Sequence, residues 1–160
     1  MTKSNVIKLD CDTPFAGILP PLGTKLNGTV IGTPGSYENK GATIEKGFDG
    51  NVETAFLSPN PASDGWLGLD LGANKAASIA AIRFRSLYGH ITMANCRFQG
   101  SDEPTFSAAV DLYVVPATGH AGGLWNEVTL WGTKQFRYLR YLSVGKQNVA
   151  MAEVEFYGAP

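Results

Sequence analysis

Beyond residue 65 the chain is a succession of short apolar-rich segments at 66–71, 79–84, 96–100, 111–115, 126–131, 136–142 and 152–157. Each is rich in β-branched or aromatic residues and is bounded by Gly, Pro, Asn or Ser, which reads as strands separated by turns. Helical periodicity is almost absent, and a spacing of roughly 10–16 residues without intervening helices predicts a two-sheet sandwich or jelly roll. Upstream the pattern is mixed. Val6-Ile7-Lys8-Leu9 reads as a short strand, Ile18 to Gly23 as a turn-rich connector, and Thr29-Val30-Ile31-Gly32 as the opening of the first sheet. The alternation in 66–71 makes Trp66 a half-buried core residue rather than a ligand platform, and Phe48 and Phe56 also read as core. Segment 136–142 is apolar or aromatic on both faces and predicts a central strand. Its arginines then extend their stems over apolar surface or pair with acids.

Composition narrows the class. The chain has 160 residues, enough for one domain with a substantial core. Thirteen basic residues nearly cancel 14 acidic ones, which argues against nucleic-acid binding and leaves no polybasic signal for a membrane. Nineteen Gly and nine Pro suit a loop-rich β protein. No apolar run approaches the roughly 20 residues of a membrane span. The first residues lack the apolar core of a signal peptide, which fits a cytoplasmic protein or a domain excised from an exported one; we read the chain as the second, extracellular or at the cell surface. Cys11 and Cys96 fit a disulfide or two free thiols.

One stretch carries candidate metal chemistry. Between Lys46 and Thr54, the side chains of Asp49, Asn51 and Thr54 offer three oxygens, and Gly47 and Gly50 let the backbone curl. Glu153, opening the last strand segment, supplies a second carboxylate. Hard cations such as calcium take six to eight oxygen ligands, so these residues fit one. An Asp-Gly turn in which Asp49 only caps backbone amides fits the stretch equally. No pair of acids is placed like glycosidase carboxylates, and no Ser-His-Asp or Cys-His constellation appears around His90 or His120, so no enzyme is expected.

Several segments together resemble the discoidin, or coagulation factor 5/8 type C, domains, most narrowly the family 32 carbohydrate-binding modules. They are Phe48-Asp49-Gly50-Asn51 with Thr54-Ala55-Phe56, Gly65 to Gly72, Ile82-Arg83-Phe84, Phe98 to Asp102, Trp125 to Val128, Phe136 to Tyr141 and Ala152 to Gly158. The resemblance covers about residues 27–158, with 1–26 left as an N-terminal extension and 27–160 as the domain. It implies a jelly roll of about eight main antiparallel strands with a structural calcium. The implied ligands are Asp49, Asn51, Thr54 and Glu153, with the backbone carbonyls of Lys46 and Ala152.

The resemblance also implies a monomeric, non-catalytic module that binds a glycan or polysaccharide and tethers a larger glycan-active enzyme to it. The alternative class is an adhesion or lipid-binding discoidin domain, for which the loops 58–63 and 145–148 read as too polar. Ligand is expected at the pole formed by 33–41, 57–64, 85–95 and 143–150. Its candidate residues are Tyr37, Glu38, Arg85, Tyr88, His90, Gln147 and Asn148: an aromatic face for the apolar side of a sugar, with charged and amide groups for its hydroxyls. Trp131 belongs to the opposite pole and is expected to pack locally. Phe56 replaces the family's usual tryptophan, Leu57 the histidine common in galactose binders, and Phe84 a proline before the loop arginine. These departures weaken the case for terminal galactose or N-acetylgalactosamine in particular and leave a different glycan open, including an acidic or plant-wall polysaccharide.

Overall fold

The computed structural model describes residues 23–59, 64–88, 93–145 and 148–160. The expected strand at 6–9, most of the N-terminal extension, Cys11, His90 and Gln147 lie outside them. The described chain is a sandwich of two antiparallel sheets. In chain order its strands are β1 (Thr24–Lys25), β2 (Thr29–Gly32), β3 (Phe56–Leu57), β4 (Trp66–Asp70), β5 (Ala77–Ser86) and β6 (Arg97–Ser101). They continue with β7 (Val110–Val114), β8 (Asn126–Thr129), β9 (Gln135–Phe136), β10 (Tyr138–Leu142) and β11 (Ala150–Ala159). Eight of these have four residues or more, matching the expected jelly roll, and three two-residue strands complete the edges.

The first sheet runs β1-β11-β5-β8, with β3 also on β11 and β9 also on β5. The second runs β2-β4-β10-β6-β7. The expected strand 136–142 is divided at Arg137: β9 belongs to the first sheet and β10 to the second. At the division Arg137 pairs with Asp70, with Nε and Nη2 donating at 2.7 and 2.9 Å to the two carboxylate oxygens. Beyond it β10 is central, between β4 and β6, as its pattern predicts.

Alternation decides the core. Leu67 and Leu69 of β4, Leu139 and Tyr141 of β10 and Phe98 of β6 face Ile82 and Phe84 of β5 and Val154 and Phe156 of β11, with Phe56 from β3. Phe84 and Phe98 pack at 4.9 Å between ring centres, and Phe98 and Tyr141 at 5.1 Å. Burying one such ring stabilises by about 1.5–3 kcal/mol, so this cluster is what joins the sheets. Phe48 packs at its margin as expected. Trp66 differs from expectation. It is half-buried, but its place in the β4 alternation puts it on the outer face, because Leu67 and Leu69 take the inner one. The glycine of the same motif, Gly68, is needed for closeness: a Cβ there would collide with the Leu139 carbonyl and come 3.0 Å from Arg140 Cβ.

Candidate functional site

Two places on this scaffold gather chemistry. The first is on the edge of β11 away from β5. That edge pairs with β3 at residues 150–151 and with β1 at 157–158. The loop around Asp49 stands against the stretch between them, where β11 also bulges. Met151 is opposite Ser86 and Glu153 opposite Arg85, so Ala152 has no cross-strand partner there. A bulge of this kind releases backbone groups from the ladder.

The loop is built by its own side chains. Asn51 N donates to Asp49 Oδ1 at 2.9 Å, Glu53 N donates to Asn51 Oδ1 at 3.1 Å, and Thr54 Oγ1 lies 2.8 and 3.0 Å from the Asp49 oxygens. Gly50 takes a left-handed φ of +76°, which its missing Cβ permits without strain. Burial opposes the Asp49 charge, but hydrogen bonds from Asn51 and Thr54, with Lys46 Nζ at 3.5 Å, outweigh it and hold the carboxyl below its usual range. The turn therefore accounts for most of what holds the Asp49 charge, with a smaller share from the facing Glu153 carboxyl.

It does not explain Glu153. This side chain is 1% exposed, and neither carboxylate oxygen meets a donor in hydrogen-bonding geometry. Burial first, and then the facing Asp49 carboxylate, push its pKa up to about 7, with the Gly50 amide and Lys25 only partly compensating. Burying an unpaired carboxylate is costly unless it is neutralised or coordinates a cation. The residues at hand fit an oxygen-seeking cation: two facing carboxylates, an amide, a hydroxyl and a bulged backbone. Among the described residues no cluster of three or more His, Cys, Asp and Glu exists, so neutral oxygens would supply the remaining ligands.

The second place is the rim at one pole, where the four expected loops converge. Leu57 N donates to Ala42 O at 2.9 Å, Ser58 N to Val149 O at 3.1 Å, and Leu87 N to Ala150 O at 3.0 Å. Around the rim, segments 33–42, 57–59, 148–150 and 85–88 therefore follow one another. Tyr37 and Glu38 sit on a short 3-10 turn in the first, Glu38 paired with Lys40. Asn148 is exposed in the third. Arg85 ends the outer row of β5, and Tyr88 just beyond it is 58% exposed, an open ring rather than a packed one. Among the described residues, no hydrogen bond or ion pair links these side chains to one another.

A fifth segment joins this rim: Gly123 N donates to Ser86 O at 2.8 Å, bringing exposed Leu124 and Trp125 beside it. Nothing in their local pattern separates them from an ordinary loop. At the other pole Trp131 is 74% exposed, contrary to the expectation that it packs locally; it follows Leu130, whose amide still donates to Ala80 O, and lies beyond the end of β8.

No family model and no curated protein matches the sequence. Among solved structures, the chain is 40% identical to CBM62 from Clostridium thermocellum Xyl5A, covering 85% of this chain and 97% of that one with a TM-score of 0.78. CBM32 of AlyQ matches at 17% identity over 85% and 99% of the two chains, with a TM-score of 0.62. A family 89 glycoside hydrolase from Clostridium perfringens matches at 17% identity over 86% of this chain but only 15% of that one, with a TM-score of 0.66. These last two show a shared fold, while the higher identity falls on family 62 rather than on family 32. The chain therefore belongs to the discoidin-type carbohydrate-binding domains, in the family of the CBM62 module.

Proposed function

We propose that this domain is a non-catalytic sugar-binding module whose rim holds a glycan and whose β11 edge holds a structural calcium. The reading rests on membership of the CBM62 family together with one feature of the rim. Arg85, on the outer row at the end of β5, lies three residues before the exposed ring of Tyr88. A ring open to solvent stacks on the apolar side of a saccharide, and a guanidinium fork donates to adjacent hydroxyls. Tyr37, Glu38 and Asn148 border the same rim, with His90 and Gln147 as further candidates by sequence. Such a shallow platform desolvates little surface, so affinity in the micromolar to millimolar range is expected.

Calcium would be held by Asp49, Asn51, Thr54, Glu153 and the carbonyls of Lys46 and Ala152. Its contribution is charge: it neutralises two facing carboxylates and ties the loop to the last strand. The module hydrolyses nothing. It concentrates a parent glycan-active enzyme, secreted or at the cell surface, on its substrate through tethering. The test is a glycan and polysaccharide screen on the purified domain, followed by Arg85→Ala and Tyr88→Ala. Loss of roughly tenfold or more in each variant supports the rim assignment; a confirmed ligand bound equally by both variants overturns it. Turnover of aryl glycosides would overturn the non-catalytic reading.

A further inference from the structure

The outer face of the second sheet carries a polar assembly that neither the rim nor the β11 edge uses. Arg140, Gln99 and Asp111 are register partners on β10, β6 and β7. Their side chains are linked across the sheet: Arg140 Nε donates to Gln99 Oε1 at 2.8 Å, and Gln99 Nε2 donates to Asp111 Oδ1 at 2.7 Å. Arg97 Nη1 takes the other Asp111 oxygen at 2.7 Å. Gln99 is only 7% exposed although it points away from the core.

Phe106 folds onto the same face. It adopts a left-handed φ of 55°, which for a phenylalanine is strained by on the order of 1–3 kcal/mol and persists only where contacts hold it. Its ring lies 4.2 Å from the Arg140 guanidinium, and the Trp66 ring lies 5.6 Å from it. The two rings meet edge-on at 5.5 Å. Arg140 is thus fixed by Gln99 and flanked by two aromatic rings, with its stem beside side-chain-free Gly68.

The charge on this arginine is the unbalanced member of the assembly. Both Asp111 oxygens are occupied by Arg97 and Gln99, and among the described residues no carboxylate comes within ion-pair distance of Arg140. Burial lowers its pKa and the nearby Asp111 charge offsets this only in part, as expected for a cation removed from water without a direct ion pair. A guanidinium has five donors and Gln99 engages one. Beside it opens a groove of about 480 Å³ lined by Asp64, Trp66, Arg97, Gln99, Arg140, Leu142 and Val144. Arg97 stands opposite Leu142, one step diagonal from Arg140, but its charge is matched by Asp111, so Arg140 is the cation left without an ion pair in a groove that Asp64 also lines.

We propose that this groove is an acidic-saccharide subsite. The carboxylate of a uronic acid residue takes the free fork of Arg140, and the apolar side of its ring lies against Trp66 and Leu142. A planar carboxylate matches a guanidinium fork in a way a hydroxyl pair does not. The subsite lies on the second sheet, whereas Arg85 and Tyr88 of the rim lie on the first, so it stands whether or not the rim binds a neutral sugar.

The test is titration of the isotope-labelled domain with trigalacturonate, its methyl ester, neutral galactotriose and acetate, followed by nitrogen–proton correlation spectra. Trigalacturonate should shift the Trp66 indole and Arg140 side-chain signals. The ester and galactotriose should reach the same shifts only at about tenfold or higher concentration, and acetate should not reproduce them. Arg140→Lys keeps the charge but loses the fork. It should weaken trigalacturonate about tenfold while melting within a few degrees of the native domain. Unmoved Trp66 and Arg140 signals in the native protein, equal binding of the ester, or full reproduction by acetate would each overturn the proposal.

Discussion

Glu153 and Glu155 stand two residues apart on the same face of β11, opposite Arg85 and Arg83, yet their surroundings are reversed. Glu155 accepts hydrogen bonds from Lys25 Nζ at 2.7 Å, Tyr157 Oη at 2.9 Å and Arg83 Nη1 at 3.2 Å. Burial works against its charge, but these partners win and keep it below the usual carboxylate range. Glu153 has no such donor, faces another carboxylate, and is pushed the opposite way. The β-ladder is the same for both; what differs is the segment covering each. β1 brings a lysine to Glu155, while the Asp49 loop brings an acid to Glu153. One end of the strand is complete in itself, and the other leaves a buried carboxylate that, on the proposed reading, a cation completes.

Breaking that contrast gives the largest expected effect. A calcium concentration about a hundredfold above the dissociation constant stabilises by about 2.7 kcal/mol, so chelation should lower the melting temperature by roughly 5–10 °C. Glu153→Gln should abolish the calcium response, read by calorimetric melting with and without chelator. A melting temperature indifferent to calcium in the native domain would break the comparison.

The next effect is in pH. Without metal, the folded pKa of Glu153, about 7, exceeds that of an unfolded glutamate, so the folded state binds more protons between about pH 4.5 and 7. Its contribution to stability is therefore lost as pH rises through that window. The chelated native domain should melt higher near pH 5.5 than near pH 8 relative to Glu153→Gln. Glu155 contributes in the opposite sense, since its lowered pKa gives stability that is lost on acidification. A pH-independent difference between native and Glu153→Gln would remove the second half of the contrast. The smallest effect is Lys25→Ala, which removes a partly exposed ion pair and should cost about 1 kcal/mol in urea unfolding while leaving calcium affinity unchanged.

Much of this was legible in the chain, for identifiable reasons. Strands whose two faces differ, such as Trp66–Asp70 and Arg97–Ser101, announce themselves by alternation, and the turns between them by Gly, Asn and Pro. The loop from Lys46 to Thr54 was readable because its oxygens are close in sequence. The break at Arg137 was not, since β9 and β10 continue one pattern and the Asp70 that pairs with the arginine is distant in sequence. The outward placement of Trp66 depends on register against β10, which alternation alone leaves open. Phe106 adopts a positive φ imposed by tertiary contacts, so no local residue preference marks it. The approach of 121–125 to the rim is likewise a long-range event.

The most direct test is isothermal calcium titration of the metal-stripped native domain beside Glu153→Gln and Glu155→Gln. One calcium bound per chain in the native domain and in Glu155→Gln, with none in Glu153→Gln, is the expected result. No binding by the native domain, or equal binding by Glu153→Gln, would contradict the reading of the β11 edge as a cation clamp.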